Sequence, residues 1–170
     1  REALQLLAGQ KLVEIFPNKG TVVTEIETDR RDKWYLPLAS IHALAAELAC
    51  KVITPEQINE LEALDNQILA LIKQGNIIDT LRVDQMLHNR ILEIADNEFL
   101  CEFSETLMLH IQRMEYALLN ASGLSNDSFV SHKKLIEAFR TGDAGAAAKE
   151  MRRNWLDSFE NSNRVAEHIV

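Results

Sequence analysis

Three residues separate Asp84 from His88 in the stretch Val83-Asp84-Gln85-Met86-Leu87-His88-Asn89-Arg90-Ile91-Leu92. On a helix, positions i and i+4 share a face with Cβ atoms about 5–6 Å apart. A carboxylate and an imidazole at that spacing can converge on one metal ion or one small anion. A solvated acid–histidine hydrogen bond uses the same spacing, so the pair gains meaning only from what other elements bring to it.

Those elements are helical. The chain has 170 residues, of which 46% are hydrophobic, with three prolines and six glycines. That is enough to bury one good core or a core with a small appendage, and no segment reaches the length of a membrane span. A net charge of −8 argues against the chain as a whole being a nucleic-acid-binding surface. Residues 1–31 are the exception, because Arg1, Lys11, Lys19, Arg30 and Arg31 balance Glu2, Glu14, Glu25, Glu27 and Asp29. Cys50 and Cys101 each sit alone in an apolar pattern, as reduced thiols of a cytoplasmic protein do. The chain opens on Arg in mid-pattern, as a piece of something longer would.

Residues 1–10 read as the end of an amphipathic helix. Two β-branched runs then flank Pro17-Asn18-Lys19-Gly20, which is hairpin turn chemistry. A helix end feeding a hairpin with a basic tip is the geometry of a winged helix-turn-helix, and of any α+β hairpin packed on a bundle. The charged, aperiodic residues 27–33 suit a linker. From Trp34 onward the periodicity predicts helices over about 34–51, 55–73, 78–95, 98–121, 128–140 and 144–166. Thr54-Pro55-Glu56-Gln57 supplies an N-cap, a proline at the first helical position and a capping-box glutamine. Thr141-Gly142-Asp143 closes one helix and caps the next. The expected fold is all-α, an antiparallel bundle of six to seven helices over residues 34–170, preceded by a helix end and β-hairpin at residues 1–26.

Particular residues narrow this further. Arg1-Glu2-Ala3-Leu4, Leu12-Val13-Glu14, Pro17-Asn18-Lys19-Gly20 and Val23 resemble the recognition helix and wing of the GntR family of transcription regulators. One position departs: Lys11 stands where the family has glycine before the Leu-Val pair. Asp84-x3-His88, Ile94-Ala95-Asp96-Asn97-Glu98-Phe99-Leu100, the run from Ser131 to Asp143 and the run from Ala146 to Leu156 resemble, in order, the FCD effector domain of the FadR-type branch. The resemblance covers essentially the whole chain and implies that the first part of the winged helix-turn-helix lies outside it.

The resemblance also implies a divalent metal in the bundle centre, Zn²⁺ or Ni²⁺, held by Asp84, His88 and His132. The fourth ligand position falls on Asn154, where the family has histidine, and a neutral amide oxygen is a harder, weaker donor than imidazole. Arg90, Arg140 and His42 are candidates to contact a small carboxylate effector. Arg1, Asn18, Lys19 and Gly20 are candidates for contact with a palindromic double-stranded DNA operator, bound by a homodimer. The expected function is a ligand-responsive regulator, a repressor of a catabolic operon, with no membrane association.

Other readings can be weighed on residues alone. Di-iron centres need Glu-x-x-His, whereas Ala39, Gln85, Leu107, Phe129 and Val165 stand three before the five histidines. A mononuclear hydrolase needs a positioned general base beside its metal, and no unassigned acid has the spacing. The chain is therefore read as a non-enzyme. A metal-free regulator sensing acyl-CoA or fatty acid would gain nothing by burying Asp84, His88 and His132 unpaired. Without a metal, protonated His88 and His132 could instead hold a carboxylate directly. His110 is expected to be structural or on the surface, and Trp155 a core anchor.

Overall fold

The computed structural model describes residues 1–26, 28–122 and 132–167. Among them, α1 (Glu2–Gly9) leads into strands β1 (Val13–Phe16) and β2 (Gly20–Val23). A short 3-10 turn at Thr28–Arg30 follows. Six long or medium helices then complete the chain: α2 (Asp32–Cys50), α3 (Pro55–Lys73), α4 (Ile77–Ala95), α5 (Glu98–Ser122), α6 (Lys133–Thr141) and α7 (Ala144–Glu167). The helical bundle preceded by a hairpin is the expected architecture.

The hairpin pairs Val13 with Val23 and Phe16 with Gly20 in antiparallel register. Its turn places Asn18 at φ 62° and Gly20 at φ 102°, and the Lys19 amide donates to the Phe16 carbonyl at 3.1 Å. The departure at Lys11 has a structural meaning. After α1 the Lys11 amide donates to the Ala8 carbonyl and the Leu12 amide to the Leu7 carbonyl, and Lys11 itself adopts φ 60°. This paired helix stop favours glycine at its left-handed position. Gly75 and Gly142, both at φ 69°, fill that position after α3 and α6, with the same pair of bonds. Lys11 takes it with a Cβ, which costs roughly 1–2 kcal/mol. Part of the relief in Lys11→Gly is offset by glycine's greater chain entropy. The variant is expected to be more stable by up to about 1 kcal/mol, read as a higher urea midpoint at unchanged slope.

Helix α2 is the axis of the bundle. Tyr35, Leu38, Ala39, His42, Ala46, Ala49 and Cys50 are among its buried residues, and it packs chiefly against α7 and also against α4 and α5. Its small alanines let these neighbours approach closely. It starts at Asp32, two residues before the predicted Trp34, because Asp32 places a negative charge in the first turn, where the helix dipole favours it. The capping box of α3 forms as read: the Gln57 amide donates to Thr54 Oγ1 at 3.3 Å and the Thr54 amide to Gln57 Oε1 at 2.9 Å. The Ala146 amide donates to Asp143 Oδ1 at 2.9 Å, the cap expected for α7.

One boundary differs from the sequence reading. The predicted fifth bundle helix, 128–140, placed His132 inside it, but α6 begins at Lys133 and His132 is its N-cap residue. Residues 128–131 of that prediction lie outside the described residues. His132 therefore presents its ring from a helix start, where its own amide is also free to bond outward.

The hairpin is tied to the bundle through α5. Arg113 donates to Thr24 Oγ1 at 2.8 Å and also to the Thr24 carbonyl. The Thr24 hydroxyl bonds the Lys11 carbonyl at 2.9 Å. His110 Nε2 lies 2.9 Å from the Gln10 carbonyl, and its ring stacks on Trp34 with centroids 5.3 Å apart. His110 is structural, as expected, and its task is to join the two parts of the chain.

Candidate metal and effector site

Helix α4 turns Val83, Leu87, Ile91 and Ile94 into the core. The same face carries Asp84 and His88 toward the place where α6 begins. One donor atom from each of Asp84, His88 and His132 lies within 4.8 Å of the others. His88 Nε2 is 3.6 Å from Asp84 Oδ2, and His132 Nε2 is 3.5 Å from Asp84 Oδ1. The two distances end on different oxygens of Asp84, and the three side chains are close enough to share one ion after small side-chain adjustment. Both imidazoles are 1% exposed, whereas the Asp84 side chain keeps 27%, so water can reach the carboxylate.

The hydrogen bonding around His132 supports the same fit. Its Nδ1 lies 3.1 Å from Asp65 Oδ1, and its backbone amide donates to the same oxygen at 3.1 Å. A carboxylate accepts, so Nδ1 carries a proton, and in the neutral ring the lone pair is on Nε2. That Nε2 is buried with no hydrogen-bond partner, as befits a metal ligand. The donor set of one carboxylate and two imidazoles suits Zn²⁺, Ni²⁺ or a similar divalent ion. These three residues would hold it, and a bound ion would supply a positive charge with positions open to an anionic ligand.

The charges are set by burial. Desolvation, helped by His132 and His42, holds the His88 imidazole well below its usual range, so it is neutral at physiological pH and its lone pair is available without losing a proton. The direct alternative, in which a protonated His88 holds a carboxylate, is thereby disfavoured: burial penalises the cation it needs. Desolvation also pushes the Asp84 carboxyl up, partly countered by His132. Burial would raise Asp65 too, but the bonds from His132 outweigh it and hold this carboxyl below its usual value.

Around the three donors lies an aromatic wall. The Trp155 ring sits 4.6 Å from His88 and 5.0 Å from His42, and the His42 and His88 rings are 5.4 Å apart. His42 is 2.7 Å from the Ser104 hydroxyl through Nε2, while its Nδ1, His88 Nδ1 and Trp155 Nε1 are buried without partners. The His42 ring thus packs against His88 and Trp155 at the edge of the cluster. Asn154 is 7% exposed on α7, next to Trp155. Arg90 and Arg140 are not brought here. Arg90 pairs with Glu60 and Glu93 at the surface, and Arg140 with Glu62 and Glu137. Arg1, Asn18, Lys19 and Gly20 are all exposed, the last three at the hairpin tip.

The sequence reading passed over the buried Asp65 and Ser104 and the half-buried Glu115. Asp65 occupies the apolar stripe Ile58, Leu61, Ile68 of α3, and an acid on such a stripe was the available signal. Glu115, on α5, accepts a hydrogen bond from the Tyr35 hydroxyl at 3.2 Å. Burial and the nearby Asp84 push Glu115 up to about 8. Its sequence neighbourhood carried no comparable mark.

The FCD domain family model matches residues 38–156. This chain belongs to the FCD domain family. The HTH-type transcriptional repressor RspR of Escherichia coli is 22% identical over 98% of this chain and 73% of its own length. An HTH-type transcriptional regulator from an unstable DNA locus of Streptomyces ambofaciens is 26% identical over 99% of this chain and 70% of its own. Among solved structures, Escherichia coli McbR/YncC superposes with a TM-score of 0.83 at 18% identity, covering 96% of this chain and 83% of that one. The FCD chain described here is a transcriptional regulator of the GntR type.

Proposed function

We propose that this regulator senses a small organic acid through a divalent ion held by Asp84, His88 and His132. The observation that carries the reading is the unpartnered, buried Nε2 of His132 lying 3.5 Å from the Asp84 carboxylate. A divalent cation satisfies both at once, and it gives a reason for two buried imidazoles to gather beside a half-buried acid. Asn154 is the proposed fourth donor, a neutral oxygen that leaves the ion more electropositive than a fourth imidazole would. A bound ion would supply a positive charge that attracts an effector carboxylate, in a site whose low dielectric would strengthen the attraction. His42, neutral because burial lowers it to about 3, offers the effector a hydrogen bond rather than a charge.

The rest of the reading follows from the two parts of the chain. The hairpin tip with Asn18, Lys19 and Gly20, and Arg1 at the head of α1, contact the DNA operator. Two copies of the chain meet through the helical domain, residues 34–170, and set the spacing of two palindromic half-sites. The proposed linker, residues 27–33, overlaps the first turn of α2, which begins at Asp32. The Thr24–Arg113 and Gln10–His110 bonds couple the hairpin to α5, and α5 reaches the site through Ser104. Effector binding then biases the attitude of the hairpins, relieving repression. The protein acts in the cytoplasm, and among the described residues no helix is long and apolar enough to cross a membrane. Arg90 and Arg140 are engaged by glutamates and have no part in effector binding in this reading. The acyl-CoA-sensing alternative is disfavoured by the buried polar cluster.

Elemental analysis followed by a thermal-shift screen tests the proposal. The purified protein is expected to carry about one divalent ion per chain and to be stabilised further by small carboxylates only when the ion is present. A carboxylate response that persists after complete chelation would rule out the metal-mediated mode.

A further inference from the structure

We propose that Asp65 is the positioning residue of this site, one carboxylate that both selects the metal-binding tautomer of His132 and docks the start of α6. The inference rests on the reading of the cluster as a divalent-cation site. One oxygen, Asp65 Oδ1, receives two N–H groups from one residue: the His132 ring Nδ1 and the His132 backbone amide, each at 3.1 Å. Asp65 is 3% exposed and His132 1%, so water does not compete for these bonds.

Each bond does a separate task. In the neutral ring, the bond to Nδ1 places the proton away from the cluster and leaves the Nε2 lone pair facing Asp84. The bond to the amide satisfies an N–H at the start of α6 that no side chain of α6 caps. It also sets a negative charge at the positive end of that helix. Since both bonds end on one oxygen, the ring cannot keep its aim if α6 lifts from α3. The buried residues Leu135, Ile136 and Phe139 anchor the rest of α6. Presentation of the His132 ligand and docking of α6 are therefore a single event. Binding of an ion on the far side of the ring should in turn tighten α6.

Asp65→Asn and Asp65→Ala test this in the whole chain. Asparagine keeps the shape and an acceptor oxygen but not the charge; alanine removes the acceptor. Nitrogen-15 NMR of the metal-free wild type is expected to show His132 as the Nδ1–H tautomer, and Asp65→Ala to show a mixture. Zn²⁺ affinity, read by competition with a chromophoric chelator, is expected to fall ~10–100-fold in Asp65→Asn and further in Asp65→Ala. Zn²⁺ is also expected to slow amide exchange over residues 133–141 in the wild type and to lose that effect in Asp65→Ala. A purely structural role would lower the melting temperature and leave the tautomer and the Zn²⁺ affinity of the folded fraction alone. An Nε2–H tautomer in the wild type, or wild-type Zn²⁺ affinity in both variants, overturns the proposal. Wild type that binds no Zn²⁺ overturns the cation reading instead, and the tautomer measurement still decides whether Asp65 orients the ring. Should Asp65→Ala fail to fold, Asp65→Asn and the wild-type tautomer carry the test.

Discussion

His132→Ala is expected to reduce divalent-metal affinity by more than the ~100-fold that loss of an outer partner costs, because it removes one of three protein ligands outright. The circular dichroism of the variant should stay helical, since the ring lies at the head of α6 and the Leu135, Ile136 and Phe139 anchors remain. Its stability should still fall, because Asp65 loses one of the two hydrogen bonds it accepts from His132 and becomes a less satisfied buried acid. With the ion gone, small carboxylates should cease to shift the melting temperature. Isothermal titration with Zn²⁺, followed by the same titration with carboxylates, reads both effects. An unchanged carboxylate response in folded His132→Ala would remove the metal from the sensing mechanism.

The second large effect is on the pH dependence of stability in chelator-treated protein. Burial holds His42 at about 3 against an unfolded value of 6.5. Between those two values the unfolded chain binds a proton that the folded chain refuses. Stability from His42 is therefore full above pH 6.5 and drains as pH falls, by about 1.4 kcal/mol per pH unit. His88 is displaced in the same direction by burial. Glu115 has the opposite sign. Its folded value of about 8 exceeds the unfolded 4.5, so its contribution is full below 4.5 and is lost as pH rises through 8. Because these slopes oppose one another between 4.5 and 6.5, the measurement compares variants and not the wild type alone. Relative to wild type, His42→Gln should gain stability steadily as pH falls below 6.5, and Glu115→Gln should gain it as pH rises toward 8. Urea denaturation across this range checks both, and stability curves that run parallel to wild type would contradict the assigned protonation states.

Much of the architecture was legible because it rests on local chemistry. Thr54 and Gln57 form a capping box, Gly142 and Asp143 close and cap consecutive helices, and Pro17 to Gly20 turn a hairpin. Each of these is settled within four residues, by hydrogen bonds and backbone sterics that neighbouring elements do not override. The start of α6 was not legible in this way. His132 and the lysines after it carry no cap signal of their own, and the partner that satisfies the first amide, Asp65, is 67 residues away.

The candidate site divides along the same line. The residue types and the Asp84–His88 spacing were present in the chain order, and the resemblance to the FCD domain named His132 and Asn154 with them. Spacing on one helix determines only which side chains share a face. Tertiary packing decided which long-range candidates meet. Packing of α2 and α7 set His42 and Trp155 against His88, while glutamates on neighbouring turns and helices held Arg90 and Arg140 at the surface. Packing also recruited Asp65 and Glu115, whose significance depends on burial. An acid on a helix is ordinary in water, and only the bundle that excludes water turns Asp65 into a ring-orienting partner and Glu115 into a proton-holding one.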